Sequence, residues 1–280
     1  MTIFRCCKLN FYQWRLHPKY PLIAGFMILM MWNLTNGFSA YAAHLGAKIH
    51  PWLFPFLPCH GLNFMIIILP YILLICDAPF RNGQQQYVIQ RTGKIPWLCG
   101  QLLFLFLTAI LYATFLWVLS WIFLLPNIEW NPEWGGVLRT AAKLQDYGEY
   151  KVDMNFDYEI MKTYSAVFSN TWVYLMLICV LFLMGECMVF CNLFLYRGVG
   201  VALTIGMLLF NLMICFETYG RRFLLWISPI SWLNLSMIGR TSQGLPSLLF
   251  SAVSILGLCL LVGGMTVGMI HKCNLIIETE

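Results

Sequence analysis

The chain has 280 residues, of which 60% are hydrophobic and only 10% are charged, and its mean hydropathy is +0.73. Soluble globular domains carry about 25% charged residues. This composition therefore excludes a soluble domain, a disordered chain and a nucleic-acid-binding protein, and it predicts an integral membrane protein. The net charge of +5 is modest, so the informative feature is where the charges lie.

Six apolar stretches are long enough to cross a bilayer, which takes about 20 residues of α-helix. The sequence therefore predicts an all-α integral membrane protein, with a cytoplasmic segment at 1–20 and a six-span domain at 21–280. The predicted spans are 21–43, 56–77, 97–125, 166–195, 199–219 and 246–270.

Lysine and arginine are unevenly divided between the two sets of short connecting segments. One side carries nine of them and the other side carries four. Cytoplasmic segments have an excess of these residues, so we expect both termini in the cytoplasm. The pair Arg221 and Arg222, on the opposite side, runs against this assignment. The nine are Arg5, Lys8, Arg15, Lys19, Arg81, Arg91, Lys94, Arg197 and Lys272.

The N-terminal segment repeats apolar residues at helical spacing, at Phe4, Cys7, Phe11 and Trp14. This pattern predicts an amphipathic helix in the cytoplasmic interface, with its apolar face in the acyl chains. A flexible basic tail is the alternative.

The loop 126–165 carries seven acidic and four basic residues and is too polar to enter the membrane. We expect it to form an external cap or hairpin. Its clustered aromatic residues indicate a lid, a partner-binding surface or a small hydrophobic core.

Motifs for catalysis are absent from the sequence. A phosphate-binding loop requires G-x-x-x-x-G-K-[ST], whereas Gly93-Lys94 is followed by Ile95. H-E-x-x-H and G-x-S-x-G are also missing. We therefore expect no catalytic residue, no metal and no cofactor in this chain.

Two carboxylates lie at or within predicted spans, where ionisable residues are costly and mark functional sites. Asp77 ends the second span, and we expect it to cap the next helix and to pair with Arg81 or Arg91. Glu186 lies inside the fourth span. It is interpreted either as a proton-relay or substrate-facing group, or as a carboxylate that reaches polar partners or the cytoplasmic rim. An intramembrane enzyme that uses Glu186, His60 or Asp77 is one alternative function. An accessory or immunity membrane protein is another.

Residues 79–94 predict a short polar helix between the second and third spans. Pro79 suits a first helical turn, and Gly93 suits a C-terminal cap. Such a helix suits the docking of a partner protein, and an ordinary solvated loop is the alternative. Its polar side chains are Gln84, Gln85, Gln86, Tyr87, Gln90 and Arg91.

The order of these features resembles that of the permease subunit of type-2 ATP-binding cassette (ABC) exporters. The matching elements are the interfacial N-terminal helix, a coupling segment from Asp77 to Trp97, and Ser228-Pro229-Ile230-Ser231-Trp232 before the last span. In that family this last region forms outer re-entrant helices, which the resemblance implies here for 221–245. The long acidic loop 126–165 departs from many relatives.

The resemblance implies an export pathway formed with a second permease chain, alike or different, and driven by separate ATPase subunits that bind ATP and Mg. Those subunits would dock on the coupling helix 79–94. An apolar pathway suits an amphipathic or hydrophobic substrate, either a peptide or a lipid-like molecule. The implied location is the bacterial inner membrane, among its lipids. The docking candidates are Arg81, Gln84, Gln85, Tyr87, Gln90 and Arg91, and the pathway candidates are Asn63, Phe64, Glu186, Asn211 and Phe216.

Overall fold

The computed structural model describes residues 2–14, 17–80, 83–145, 147–196, 198–216, 221–239 and 244–272. Within these residues the protein is all-helical, with eleven α-helices. They are Thr2–Trp14 (α1), Lys19–His44 (α2), Gly61–Ile75 (α3), Gly83–Thr92 (α4), Lys94–Ile122 (α5), Gly136–Leu144 (α6), Tyr158–Thr163 (α7), Ala166–Phe194 (α8), Val199–Phe216 (α9), Arg221–Ile227 (α10) and Leu248–Met269 (α11).

Five helices are long and apolar enough to cross a membrane, namely α2, α5, α8, α9 and α11. Each coincides with a predicted span, and their ends agree to within three residues. The chain is therefore a multi-pass membrane protein.

The predicted second span, 56–77, is not one continuous helix. Phe54–Cys59 form a 3-10 helix, His60 has an extended backbone, and α3 then covers 15 residues. Pro55 and Pro58 explain the break, because proline lacks an N–H donor and restricts the residue before it. A 15-residue α-helix is about 22 Å long, which is shorter than the hydrocarbon core of about 30 Å. The sixth crossing stays a prediction.

Helix α8 lies at the centre of the bundle and packs against α3, α5, α9 and α11. In the most apolar 18-residue stretch of α8, 67% of the residues are buried, whereas the corresponding fraction in α11 is 11%. Helix α11 therefore presents most of its surface to the surroundings of the bundle.

A tyrosine of α5 supports α3 at its internal proline, Pro70. The Tyr112 hydroxyl donates to the Ile67 carbonyl oxygen at 2.5 Å, and the Tyr112 ring packs edge-on against Tyr71 at 5.2 Å between centroids. Proline disturbs the preceding turn of a membrane helix, and neighbouring side chains re-satisfy its carbonyl groups. Tyr112 supplies such a donor.

The bundle has two ends of different composition. We call the end that carries α1, α4 and the α8–α9 turn the basic end. We call the opposite end, which carries residues 45–60 and 123–165, the cap end.

At the basic end, α1 packs along α5 rather than presenting its whole apolar face to lipid, which corrects the sequence expectation. Cys7 is buried, Phe11 packs on Phe104 at 4.7 Å between ring centroids, and Phe4 remains exposed. A Cβ at Gly100 of α5 would lie only 2.5 Å from the Cys6 Cβ. The two helices approach this closely because residue 100 has no side chain.

The described residues of the loop 126–165 form a cap on the helix bundle, and its external location stays a prediction. Ile49 and Ile128 form an isolated parallel bridge, with Ile49 N–H donating to the Asn127 carbonyl oxygen at 2.8 Å. Phe156 is fully buried against Phe38 of α2, at 4.9 Å between ring centroids. The cap therefore has a small aromatic core that continues into the membrane helices.

Residues 221–239, in the predicted re-entrant segment 221–245, form α10 and a 3-10 helix at Ser231–Leu233. The Trp232 indole N–H donates to the Leu225 carbonyl oxygen at 2.7 Å, and its ring packs against Phe250 of α11. The described part of the segment is thus broken into short helices at the cap end, and its re-entry into a membrane from the outer side stays a prediction.

Candidate functional site

The connection between α3 and α4 is fixed to the start of α2 by an ion pair. Asp77, just after α3, accepts from the Lys19 ammonium group at the start of α2. Among the described residues Lys19, and not Arg91, is therefore the partner, whereas Arg81 lies outside them and its pairing stays a prediction. The expected capping of the next helix is wrong, because residues 78–80, which directly follow Asp77, are not helical.

A single asparagine joins this connection to the turn between α8 and α9. The Asn192 amide nitrogen donates to the Ala78 carbonyl oxygen at 2.7 Å. Its amide oxygen accepts from the backbone N–H groups of Gly198 at 3.2 Å and Gly200 at 3.0 Å. A displacement of residues 77–80 would therefore be transmitted to the first turn of α9.

Aromatic rings fill the space beneath this connection. Phe80 and Trp14 both pack edge-on against Phe104 of α5, at 5.2 and 5.4 Å between ring centroids. Trp14 also stacks on Tyr20 at 4.7 Å. Because Phe80 is buried in this cluster, Pro79 does not start the helix as predicted, and α4 runs from 83 to 92 rather than from 79 to 94.

Helix α4 is amphipathic and lies at the surface of the basic end. Val88 and Ile89 pack against the core, whereas Tyr87 is 70% exposed, and Gln90 and Arg91 are exposed as well. Gly93 ends the helix with φ of +85°, as predicted, and α5 starts at the next residue.

The structure describes the side chains of only some of the predicted docking residues. Tyr87, Gln90 and Arg91 form one exposed polar surface. Gln84 and Gln85 belong to α4, but their side chains lie outside the described part of the structure, as does Arg81 altogether.

Four of the pathway candidates belong to α3 and α9, which pack against each other. Asn63 and Phe64 are buried near the start of α3, and the Asn63 amide donates to the Asp153 carbonyl oxygen of the cap at 3.3 Å. Asn211 is fully buried with neither amide atom hydrogen-bonded. Phe216 is 70% exposed at the end of α9.

Glu186, the fifth candidate, faces α11 instead. Its side chain is 3% exposed, and its Oε2 atom has no hydrogen-bond partner. A Cβ at Gly263 would lie 2.6 Å from its Oε1 atom. The glycine thus leaves room for a buried carboxyl group between α8 and α11.

The three groups proposed for an intramembrane enzyme are not brought to one site. Asp77 and His60 flank opposite ends of α3, whose 15 residues separate them by about 22 Å. Glu186 lies on α8 and faces Gly263.

The cap holds a polar cavity of about 260 Å³ above the start of α3. Burial raises the pKa of Tyr147, one of its lining residues, and the nearby Tyr41 raises it further. The lining residues include His60, Gln145, Tyr147, Asp153 and Asn155.

The sequence did not identify Lys19 or Asn192 as members of this site, and it placed Phe80 in the coupling segment without predicting its burial. For Asn192 a signal was present, because it is an amide near the end of an apolar span, followed closely by Gly198 and Gly200. Two glycines in a turn expose their backbone N–H groups, and the side-chain oxygen of such an amide can accept hydrogen bonds from them.

Comparison with known proteins gives no assignment: no protein family, curated protein or solved structure matches the chain.

Proposed function

We propose that the chain is the membrane subunit of an ABC exporter, driven by separate ATPase subunits that bind α4. In this proposal the basic end is cytoplasmic, both termini lie in the cytoplasm, and the membrane is the bacterial inner membrane. A second permease chain, of the same or another sequence, completes the pathway.

The observation that carries the proposal is the construction of α4. Its outer face offers Tyr87, Gln90 and Arg91 to a partner, and its inner face packs on α5. The loop before it is bonded to α2 by Asp77 and to the α8–α9 turn through Asn192. A force applied to α4 would therefore reach several membrane helices at once, as an energy-coupling helix requires.

The proposed pathway includes α3 and α9, the helices that carry Asn63, Phe64, Asn211 and Phe216. A buried asparagine with unsatisfied amide atoms inside a membrane protein is costly, and such residues mark pathways for polar groups. Asn211 supports a pathway that admits a substrate with both polar and apolar parts, either a peptide or a lipid-like molecule.

The docking assignment is tested by weakening the exposed face of α4. We expect the double variant Tyr87→Ala, Arg91→Ala to retain roughly tenfold less ATPase subunit than the wild-type chain, since tyrosine and arginine dominate binding energy at interfaces. The measurement is the ratio of ATPase subunit to tagged chain after purification in mild detergent.

The matched control is Tyr12→Ala, Arg5→Ala on α1, which removes an exposed tyrosine and an exposed arginine at the same end. We expect this control to retain the ATPase subunit. Equal retention by both double variants and the wild type would show that α4 is not the docking site.

A further inference from the structure

A groove between α2 and α5 opens near the basic end, and its volume is about 440 Å³. Met27, Leu74 and Tyr112 are buried at its base, whereas Pro21 and Leu111 are exposed at its rim. Because the rim lies on helices that cross the membrane, the groove opens toward the acyl chains of the bilayer.

Both hydroxyl groups deep in the groove wall already have partners within the protein, and the Trp14 indole N–H, at the end of the groove, is a buried donor without one among the described residues. The Thr108 hydroxyl donates to the Phe104 carbonyl oxygen at 2.7 Å, and the Tyr112 hydroxyl donates to that of Ile67 at 2.5 Å. A buried water needs two to four polar partners to be stable. The groove therefore suits a hydrocarbon chain rather than water or a polar ligand.

The groove begins at the first turn of α2 and follows that helix from Tyr20 to Met27. Seven residues of α-helix advance about 10 Å. Trp14 of α1 lines the end of the groove nearest the basic end. A chain that lies in the groove would thus start at the level where lipid headgroups meet the protein.

Basic side chains lie on the two helices, α1 and α5, that meet at this end of the groove. Arg5 and Lys8 are exposed on α1, and Lys94 starts α5. Among the described residues of the basic end, the only acidic side chain is Asp77, and it is already paired with Lys19. Basic sites between membrane helices on the cytoplasmic side bind anionic lipid headgroups.

We infer that this groove binds one acyl chain of a phospholipid whose anionic headgroup lies against α1 and the start of α2. Lipid tails are as apolar as the groove itself, so the acyl chain alone gives little preference over the bulk bilayer. Selectivity for this lipid comes from the headgroup charge. The inference does not depend on transport or on an ATPase partner.

The experiment uses the full chain in phosphatidylcholine vesicles that contain a trace of phospholipid with a photoreactive acyl chain. One sample carries the reactive group on phosphatidylglycerol and the other on phosphatidylcholine. Adducts are mapped by mass spectrometry. We expect phosphatidylglycerol adducts to concentrate on the groove residues of α2 and α5, in excess over phosphatidylcholine adducts.

Two substitutions separate the groove from the general lipid-facing surface. Ala24→Trp places an indole in the groove, whereas Val253→Trp adds the same ring to the exposed face of α11. We expect groove adducts to be lost in the first variant and kept in the second. Replacing Arg5 and Lys8 by glutamine should lower the preference for phosphatidylglycerol about fivefold for each cation removed.

Three results would overturn the inference. They are adducts spread evenly over all exposed helices of the wild-type chain, equal groove labelling by the two lipids, and unchanged groove labelling in Ala24→Trp. The first two are measured on the wild-type chain, so they decide the question even if the tryptophan variant does not fold.

Discussion

Two asparagines of the bundle differ sharply in their hydrogen bonding. Asn192 makes three hydrogen bonds to backbone groups, whereas neither amide atom of Asn211 has a partner. Leaving a buried backbone group without its partner costs about 1–3 kcal/mol. We expect Asn192→Ala to lower the free energy of unfolding by about this amount, measured by tryptophan fluorescence in detergent.

Asn211→Leu is predicted to change stability in the opposite direction. It replaces an unsatisfied buried amide by an apolar side chain of similar size, so the free energy of unfolding should rise by about 1 kcal/mol or more. The same fluorescence measurement checks it. A loss of stability would mean that Asn211 has a polar partner in the folded protein.

The predictions for Asp77 show what sequence proximity can and cannot reveal. The sequence identifies Asp77 as a boundary carboxylate and supplies Arg81 and Arg91 nearby. Its partner in the structure is Lys19, 58 positions away. That pairing depends on how α2 packs against α3, and no local pattern encodes this packing.

At the scale of elements, the contact between α1 and α5 depends on Gly100. A Cβ there would lie 2.5 Å from the Cys6 Cβ and 3.1 Å from the Ile3 carbonyl oxygen. Overpacking costs about 1–3 kcal/mol. Gly100→Ala should therefore raise the fraction of molecules with α1 undocked by roughly five- to 150-fold.

The measurement is the rate at which a maleimide labels Cys6 and Cys7, followed peptide by peptide. Burial raises the pKa of both thiols above the ordinary value of a cysteine. Docking of α1 is therefore fully stabilised below the ordinary pKa of a thiol, and this stabilisation is lost as the pH rises through the raised pKa. Labelling is therefore done near pH 7. Gly25→Ala, where nothing lies within 4 Å, is the control, and equal rates in both variants would refute the contact.

The cap is attached to α2 in a similar way. A Cβ at Gly37 would overlap the Lys151 carbonyl oxygen, so the cap backbone lies directly on the helix. We expect Gly37→Ala to loosen the cap and to speed its cleavage by a protease added at the cap end. Gly206→Ala on α9, which has open space around it, should leave the cleavage rate unchanged.

The sequence predicts some elements better than others, for physical reasons. The five long helices follow from hydropathy because a membrane helix needs a continuous apolar run. The 3-10 helix at 54–59 and the start of α4 at 83 do not follow from it. They depend on prolines and on the burial of Phe80 against Phe104, which is a tertiary contact.

On the scale of the whole molecule, charge distinguishes the two ends. Six of the eight acidic residues that the structure describes lie between 129 and 159 in the cap, and Arg5, Lys8, Lys19, Arg91 and Lys94 lie at the basic end. The acidic residues therefore distinguish the two ends, whereas lysine and arginine lie at both, since Lys48, Arg139, Lys143, Lys151 and Lys162 belong to the cap end. The orientation inferred from the short segments stays a prediction.

The packing order of the helices, by contrast, could not be predicted. Helices α8 and α11 are both strongly apolar, yet α8 is the most buried of the candidate spans and α11 the least. In a membrane an apolar side chain suits both lipid and a protein interior. Hydropathy thus finds the helices without revealing which of them lies at the centre.

The most direct test of the proposed function is purification of the tagged wild-type chain from its native membrane in mild detergent. The copurified proteins are identified by mass spectrometry, and ATP hydrolysis is measured with and without vanadate. We expect a nucleotide-binding subunit and vanadate-sensitive hydrolysis. A preparation that contains no ATPase subunit and hydrolyses no ATP would contradict the proposed function.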